Sequence, residues 1–139
     1  MGDVAEMVGL SREEQAWEIQ SVLLAGNSSA TLAKLGELLD ISKQPKELLM
    51  WAVVDLTRRL SAAASMFSKG QSNSDVRASL RLFGEGGNQL MAVAKRCTPS
   101  QLANLFTEAV AIDARSRSGI LDSRRGLELL AVRVCRALV

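Results

Sequence analysis

Apolar positions along this chain recur three and four residues apart with polar positions between them, and the pattern predicts helices almost throughout. A short turn over 3–8 opens the chain, and Gly9-Leu10 breaks it. Ser11-Arg12-Glu13-Glu14 has the form of a capping box, in which the Ser11 hydroxyl bonds the amide of residue 14 and Glu14 reaches back. Trp17 and Leu24 lie one heptad apart on the helix that follows, Val22 and Leu23 broaden its apolar face, and Gly26-Asn27 stops it. Ser28 or Ser29 is expected to cap the next helix, with Leu32, Leu35, Leu38 and Leu39 as its stripe.

Pro45 fits a first helical position and sets the start of the longest helix, roughly 45–67. Leu48, Leu49, Ala52, Val53, Leu56, Leu60, Ala63, Ala64 and Phe67 recur along it, and Lys69-Gly70 ends it. A shorter helix is expected over 72–82, carrying Val76, Leu80 and Leu82. Gly84-Glu85-Gly86-Gly87 reads as a flexible turn, followed by a short helix over 89–96. Thr98-Pro99 pairs a capping hydroxyl with Pro at the first position, and Leu102, Leu105, Phe106, Ala109, Val110 and Ile112 continue that helix. Asp113 and Arg117, four apart, are placed to pair along it. Ser118-Gly119 closes it, Asp122 or Ser123 caps the last helix, and Leu127, Leu130, Ala131, Val134 and Leu138 form its stripe. The expected fold is all-α: one compact bundle of about six to seven helices spanning residues 1–139, with no strand signal and no internal repeat.

Composition narrows the chemistry. The 139 residues fit one domain. With two Trp, three Phe and no Tyr, the core has to be aliphatic, and both Trp17 and Trp51 are read as core anchors because each falls among apolar neighbours. The net charge of +2 is too mild for a dense nucleic-acid-binding face. No His is present, which removes the commonest general base and the commonest metal ligand together. Cys97 and Cys135 stand far apart without a CxxC partner, so they read as small apolar residues in a reducing compartment. No apolar run has the length to span a bilayer, Met1-Gly2-Asp3-Val4 lacks the charged-then-apolar pattern of a signal segment, and Glu6 stands where a myristoylation pattern needs Ser or Thr.

Candidate catalytic motifs do not assemble. A phosphate-binding loop needs Lys and Ser/Thr after its last glycine, and Asn88-Gln89 follow here. Asp40, Asp55, Asp113 and Asp122 fit capping and ion-pair roles. Arg115, Arg117, Arg124 and Arg125 form a weak basic cluster whose field Asp113 and Asp122 lower, so a solvated hairpin is preferred to a phosphate contact. No catalytic residue, cofactor or metal ligand is expected.

Particular segments then resemble a known family. Gly2-Asp3-Val4-Ala5-Glu6-Met7-Val8-Gly9, the run Lys46-Glu47-Leu48-Leu49-Met50-Trp51 followed by Leu56-Thr57-Arg58-Arg59-Leu60, and the turn Ser68-Lys69-Gly70-Gln71-Ser72 are similar to the third domain of the bacterial DNA polymerase III clamp-loader delta subunit. The best match is Asp113, Arg117, Gly119 and then Leu127-Glu128 opening an apolar last helix. Arg117 replaces the usual Lys and keeps its charge, while Phe83-Gly84-Glu85-Gly86-Gly87 departs from the family's aromatic-basic or proline-bearing segment.

The resemblance implies an α-helical collar that packs beside the related collars of the delta-prime and gamma/tau subunits in a five-membered ring, at the replisome in the cytoplasm. The sliding clamp and DNA are then contacted only through the parent subunit's amino-terminal, ATPase-like domains, and the collar itself is not an enzyme. Its interface candidates are Leu102, Phe106, Asp113, Arg117, Leu127, Leu130 and Val134, and some apolar residues of the last two helices are expected to be exposed for want of the partner. The alternatives are the collar of a related subunit, delta-prime or gamma/tau, and a helical nucleic-acid-binding or adaptor domain.

Overall fold

Short local signals set where each helix begins and ends. In the computed structural model, which describes residues 18–138, these are α1 (18–24), α2 (Ser28–Gly36), α3 (Lys46–Ser68), α4 (Asn73–Leu80), α5 (Gly84–Arg96), α6 (Pro99–Arg117) and α7 (Ser123–Leu138). Among the described residues there is no strand, so the fold is an all-α bundle of seven helices. The expected Ser11 capping box, the position of Trp17 and the segment 2–9 lie outside the described residues.

Asn27, not Ser28 or Ser29, caps α2: its side chain accepts from the Ala30 amide at 3.0 Å. Serine and asparagine cap equally well, and the stop signal at Gly26-Asn27 doubles as the next start. A π-helical turn, Glu37–Ile41, extends α2 and carries Asp40 outward. Pro45 is the N-cap of α3 rather than its first residue. Ser72 with Asp75, and Thr98 with Gln101, form full capping boxes at α4 and α6. Asp122 accepts from the Arg125 amide at 3.1 Å at the start of α7.

The glycine run is a correction. Gly84 to Gly87 form the first turn of α5 and are not a flexible loop, and Gly86 and Gly87 are buried. Gly87 packs on the backbone of Leu82, so this glycine allows α5 to approach the end of α4 where a side chain would hold them apart.

The long helix α3 is the axis of the bundle. α6 packs along it most extensively, α5 and α7 also contact it, and α2 packs on α7. Leu49, Val53, Leu56, Leu60, Leu102, Leu105, Leu127, Leu130 and Val134 fill a continuous aliphatic core with Ile19, Leu23, Leu35 and Leu38. Cys135 is buried in that core, its Sγ 3.3 Å from the Thr31 hydroxyl, and Cys97 is half-buried; neither forms a disulfide. Among the described residues no helix is long and apolar enough to cross a membrane.

Candidate functional site

Two ridges with the same spacing run along neighbouring helices. On α3, Glu47, Trp51, Val54 and Arg58 are four, three and four residues apart, which stacks them on one face. That face lies roughly half a turn from the buried stripe of Leu49, Val53, Leu56 and Leu60. On α6, Phe106, Val110, Asp113 and Arg117 repeat the interval, roughly a quarter turn from buried Leu102, Leu105, Ala109 and Ile112. The two ridges line a groove of about 440 Å³, to which Lys46, Met50, Asp55, Ser116 and Ser123 also contribute.

Most of the groove's water-accessible surface is apolar. Trp51 is 61% exposed, Val110 45%, and Phe106 is half-buried. A lone exposed apolar side chain is ordinary, but three converging on one concavity mark a surface that another apolar surface can cover.

Four of the charges around it are paired with one another. Asp55 accepts from Arg58 Nη2 at 2.7 Å and lies 3.0 Å from Arg59 Nε. Arg59 in turn donates to Gln20 Oε1 at 3.0 Å, and Gln20 Nε2 donates to the Ala52 carbonyl at 3.1 Å, which ties the rim to α1. Arg117 pairs with Asp113 at 3.2 Å, as the four-residue spacing predicts. Lys46 and Glu47 have no ion-pair partner among the described residues and are exposed. Ser116 Oγ is buried beside the groove without a hydrogen-bond partner among the described residues. What this arrangement offers is apolar area framed by a balanced rim.

Of the residues expected at an interface, the structure brings Phe106, Asp113 and Arg117 together on this groove. Leu102, Leu127, Leu130 and Val134 are not exposed: each is fully buried in the core. The reason is that α6 is packed against both α3 and α7, and α7 against α2 as well, so their main stripes face inward. Trp51 reverses the other way, from expected core anchor to groove wall. Its angular position held the signal, because residue 51 falls opposite the Leu49–Val53–Leu56–Leu60 stripe.

The arginines of the α6–α7 hairpin are partly engaged. Arg124 grips Asp40 with both terminal nitrogens, at 2.7 and 2.9 Å, and lies 3.7 Å from Glu128. Hydrogen bonding to Arg124 holds the Asp40 carboxyl below its ordinary range, and the same contact raises Arg124. With Arg117 also paired, Arg115 and Arg125 remain exposed on this hairpin. Among the described residues no group of three or more Cys, Asp or Glu is placed to hold a metal ion.

Comparison with protein-family models, curated proteins and solved structures gives no match for this chain.

Proposed function

We propose that this domain is an assembly module, the collar of a bacterial clamp-loader delta subunit, and that the α3–α6 groove receives a neighbouring subunit. The observation that carries this reading is the convergence of solvent-facing Trp51, Phe106 and Val110 on one groove. Two of the segments that resemble the family, Lys46–Trp51 and Asp113–Arg117, meet at that same groove, which supports the partner being a sister collar from delta-prime or gamma/tau. On this reading no bond is made or broken here. The domain holds a ring together while other domains of the parent subunit open the sliding clamp and approach DNA. Burying the three side chains removes apolar area from water at roughly 25 cal/mol per Å², and the paired Asp55–Arg58 and Asp113–Arg117 charges desolvate at lower cost than unpaired ones.

The test is co-expression with delta-prime and gamma/tau collars, with mass measured by light scattering. The wild-type domain is expected to enter a heteromeric assembly, and Trp51→Glu or Val110→Glu to stay out of it while retaining helical circular dichroism. Assembly that ignores both substitutions, or no assembly with any of these subunits, refutes the reading.

A further inference from the structure

We infer that, in the absence of its partners, the α3–α6 groove closes on a second copy of this chain to form a two-fold dimer. The inference rests on reading the groove as a protein-docking face and adds an occupant.

The argument begins with charge. The groove carries Lys46, Arg58 and Arg117 against Glu47, Asp55 and Asp113, three of each sign. A two-fold contact brings a surface against itself, so it tolerates only a face that does not repel its own image. A strongly one-signed rim fails that condition, and this rim meets it. It also gives a nucleic acid no net charge to bind.

Lys46 and Glu47 supply a specific pairing. They are adjacent, exposed and without ion-pair partners among the described residues, while Arg58 and Arg117 are already held by Asp55 and Asp113. In an isologous contact, each Lys46 can meet Glu47 of the second copy, and the pair forms twice. The apolar complement is equally reciprocal: Trp51 stands out from the α3 ridge of one copy and the Phe106–Val110 wall of the other receives it.

The size of the face sets the strength. Lys46 to Arg58 spans roughly 18 Å of helix at 1.5 Å per residue. With α6 about 10 Å away, the face covers on the order of 400 Å² per copy, about half of what a standard specific interface buries per partner and within the weak, transient class. The dimer is therefore weak and concentration-dependent.

Light scattering on the isolated chain over a dilution series from millimolar to submicromolar tests this. The mass is expected to climb from 15.0 kDa toward twice that value as concentration rises. Trp51→Glu and Val110→Glu, both at exposed positions, are expected to hold it at the monomer value with the fold intact. Ile120→Glu, exposed outside the groove, is expected to change nothing. Lys46→Glu is expected to weaken the dimer several-fold, and Lys46→Glu/Glu47→Lys to restore it. A constant monomer mass up to millimolar overturns the inference, and so does a dimer indifferent to the groove substitutions. A chain that stays monomeric alone yet joins delta-prime and gamma/tau collars removes the second copy and leaves the assembly reading standing. A groove-dependent dimer that joins none of them does the reverse.

Discussion

Gly87 lies directly against Leu82: a Cβ added at Gly87 stands 2.8 Å from the Leu82 carbonyl carbon and 2.9 Å from its Cβ. The contact is with backbone, which cannot rotate aside as a flexible side chain can. Gly87→Ala is therefore expected to destabilise the fold by about 1–3 kcal/mol, despite the better helix propensity of alanine. Gly36, near the end of α2, is the control, since nothing lies within 4 Å of a Cβ there. Gly36→Ala is expected to stabilise by about 0.5–1 kcal/mol. Urea unfolding of the two variants beside wild type reads both signs.

Core and groove separate by their response to truncation. Leu130 is fully buried between helices, and Leu130→Ala is expected to cost about 2–5 kcal/mol. Trp51→Ala removes a larger side chain, yet it is expected to cost clearly less than Leu130→Ala because more than half of that residue's surface faces water. Equal losses from the two in denaturant unfolding contradict the placement of Trp51.

The Asp40–Arg124 pair ties the π-helical turn to the start of α7 and predicts a pH dependence. Arg124 holds the Asp40 carboxyl below its ordinary value, so the folded chain stays ionised there to lower pH than the unfolded chain does. The contribution is full above the unfolded value of about 4 and disappears as pH falls through the lowered folded value. Asp40→Asn is expected to be less stable than wild type at neutral pH, and to converge on it as the pH falls through the lowered folded value. The gap is small because both groups are exposed, and it shrinks with added salt. Thermal melts across that range check it.

The two cysteines differ in access. Cys97 is half-buried, whereas Cys135 is sealed in the core beside Thr31. A thiol reagent is expected to modify Cys97 in the native protein and Cys135 only as fast as the fold opens. Titration with and without denaturant, with the sites located by mass spectrometry, distinguishes them. Simultaneous native modification of both contradicts the burial of Cys135.

Much of this architecture is legible in the sequence because its signals are local. Thr98-Pro99, Ser72 and Lys69-Gly70 act through bonds and dihedral angles within a few residues, and each marks a helix boundary in the structure. Gly70, with φ of +85°, and Gly119, with φ of +82°, sit where left-handed turns require them. The glycine run at α5 reads as a flexible turn in the sequence because the need for Gly87 comes from Leu82, a contact that composition does not reveal. The groove was half legible. Phe106, Asp113 and Arg117, expected at an interface, line it, whereas Leu102, Leu127, Leu130 and Val134, expected beside them, are buried, because an apolar stripe states only that a face is covered. Whether α3, α7 or another chain covers it depends on tertiary packing. Trp51 could have been placed by its angle on the helix, which its apolar neighbours in sequence obscured.

The proposed reception of sister collars by the α3–α6 groove is tested most directly by hydrogen–deuterium exchange of this domain, alone and with delta-prime and gamma/tau collars present. Protection is expected to increase over residues 46–58 and 106–117, with 73–96 unchanged. Protection confined to 73–96, or no change with any of these subunits, contradicts the account.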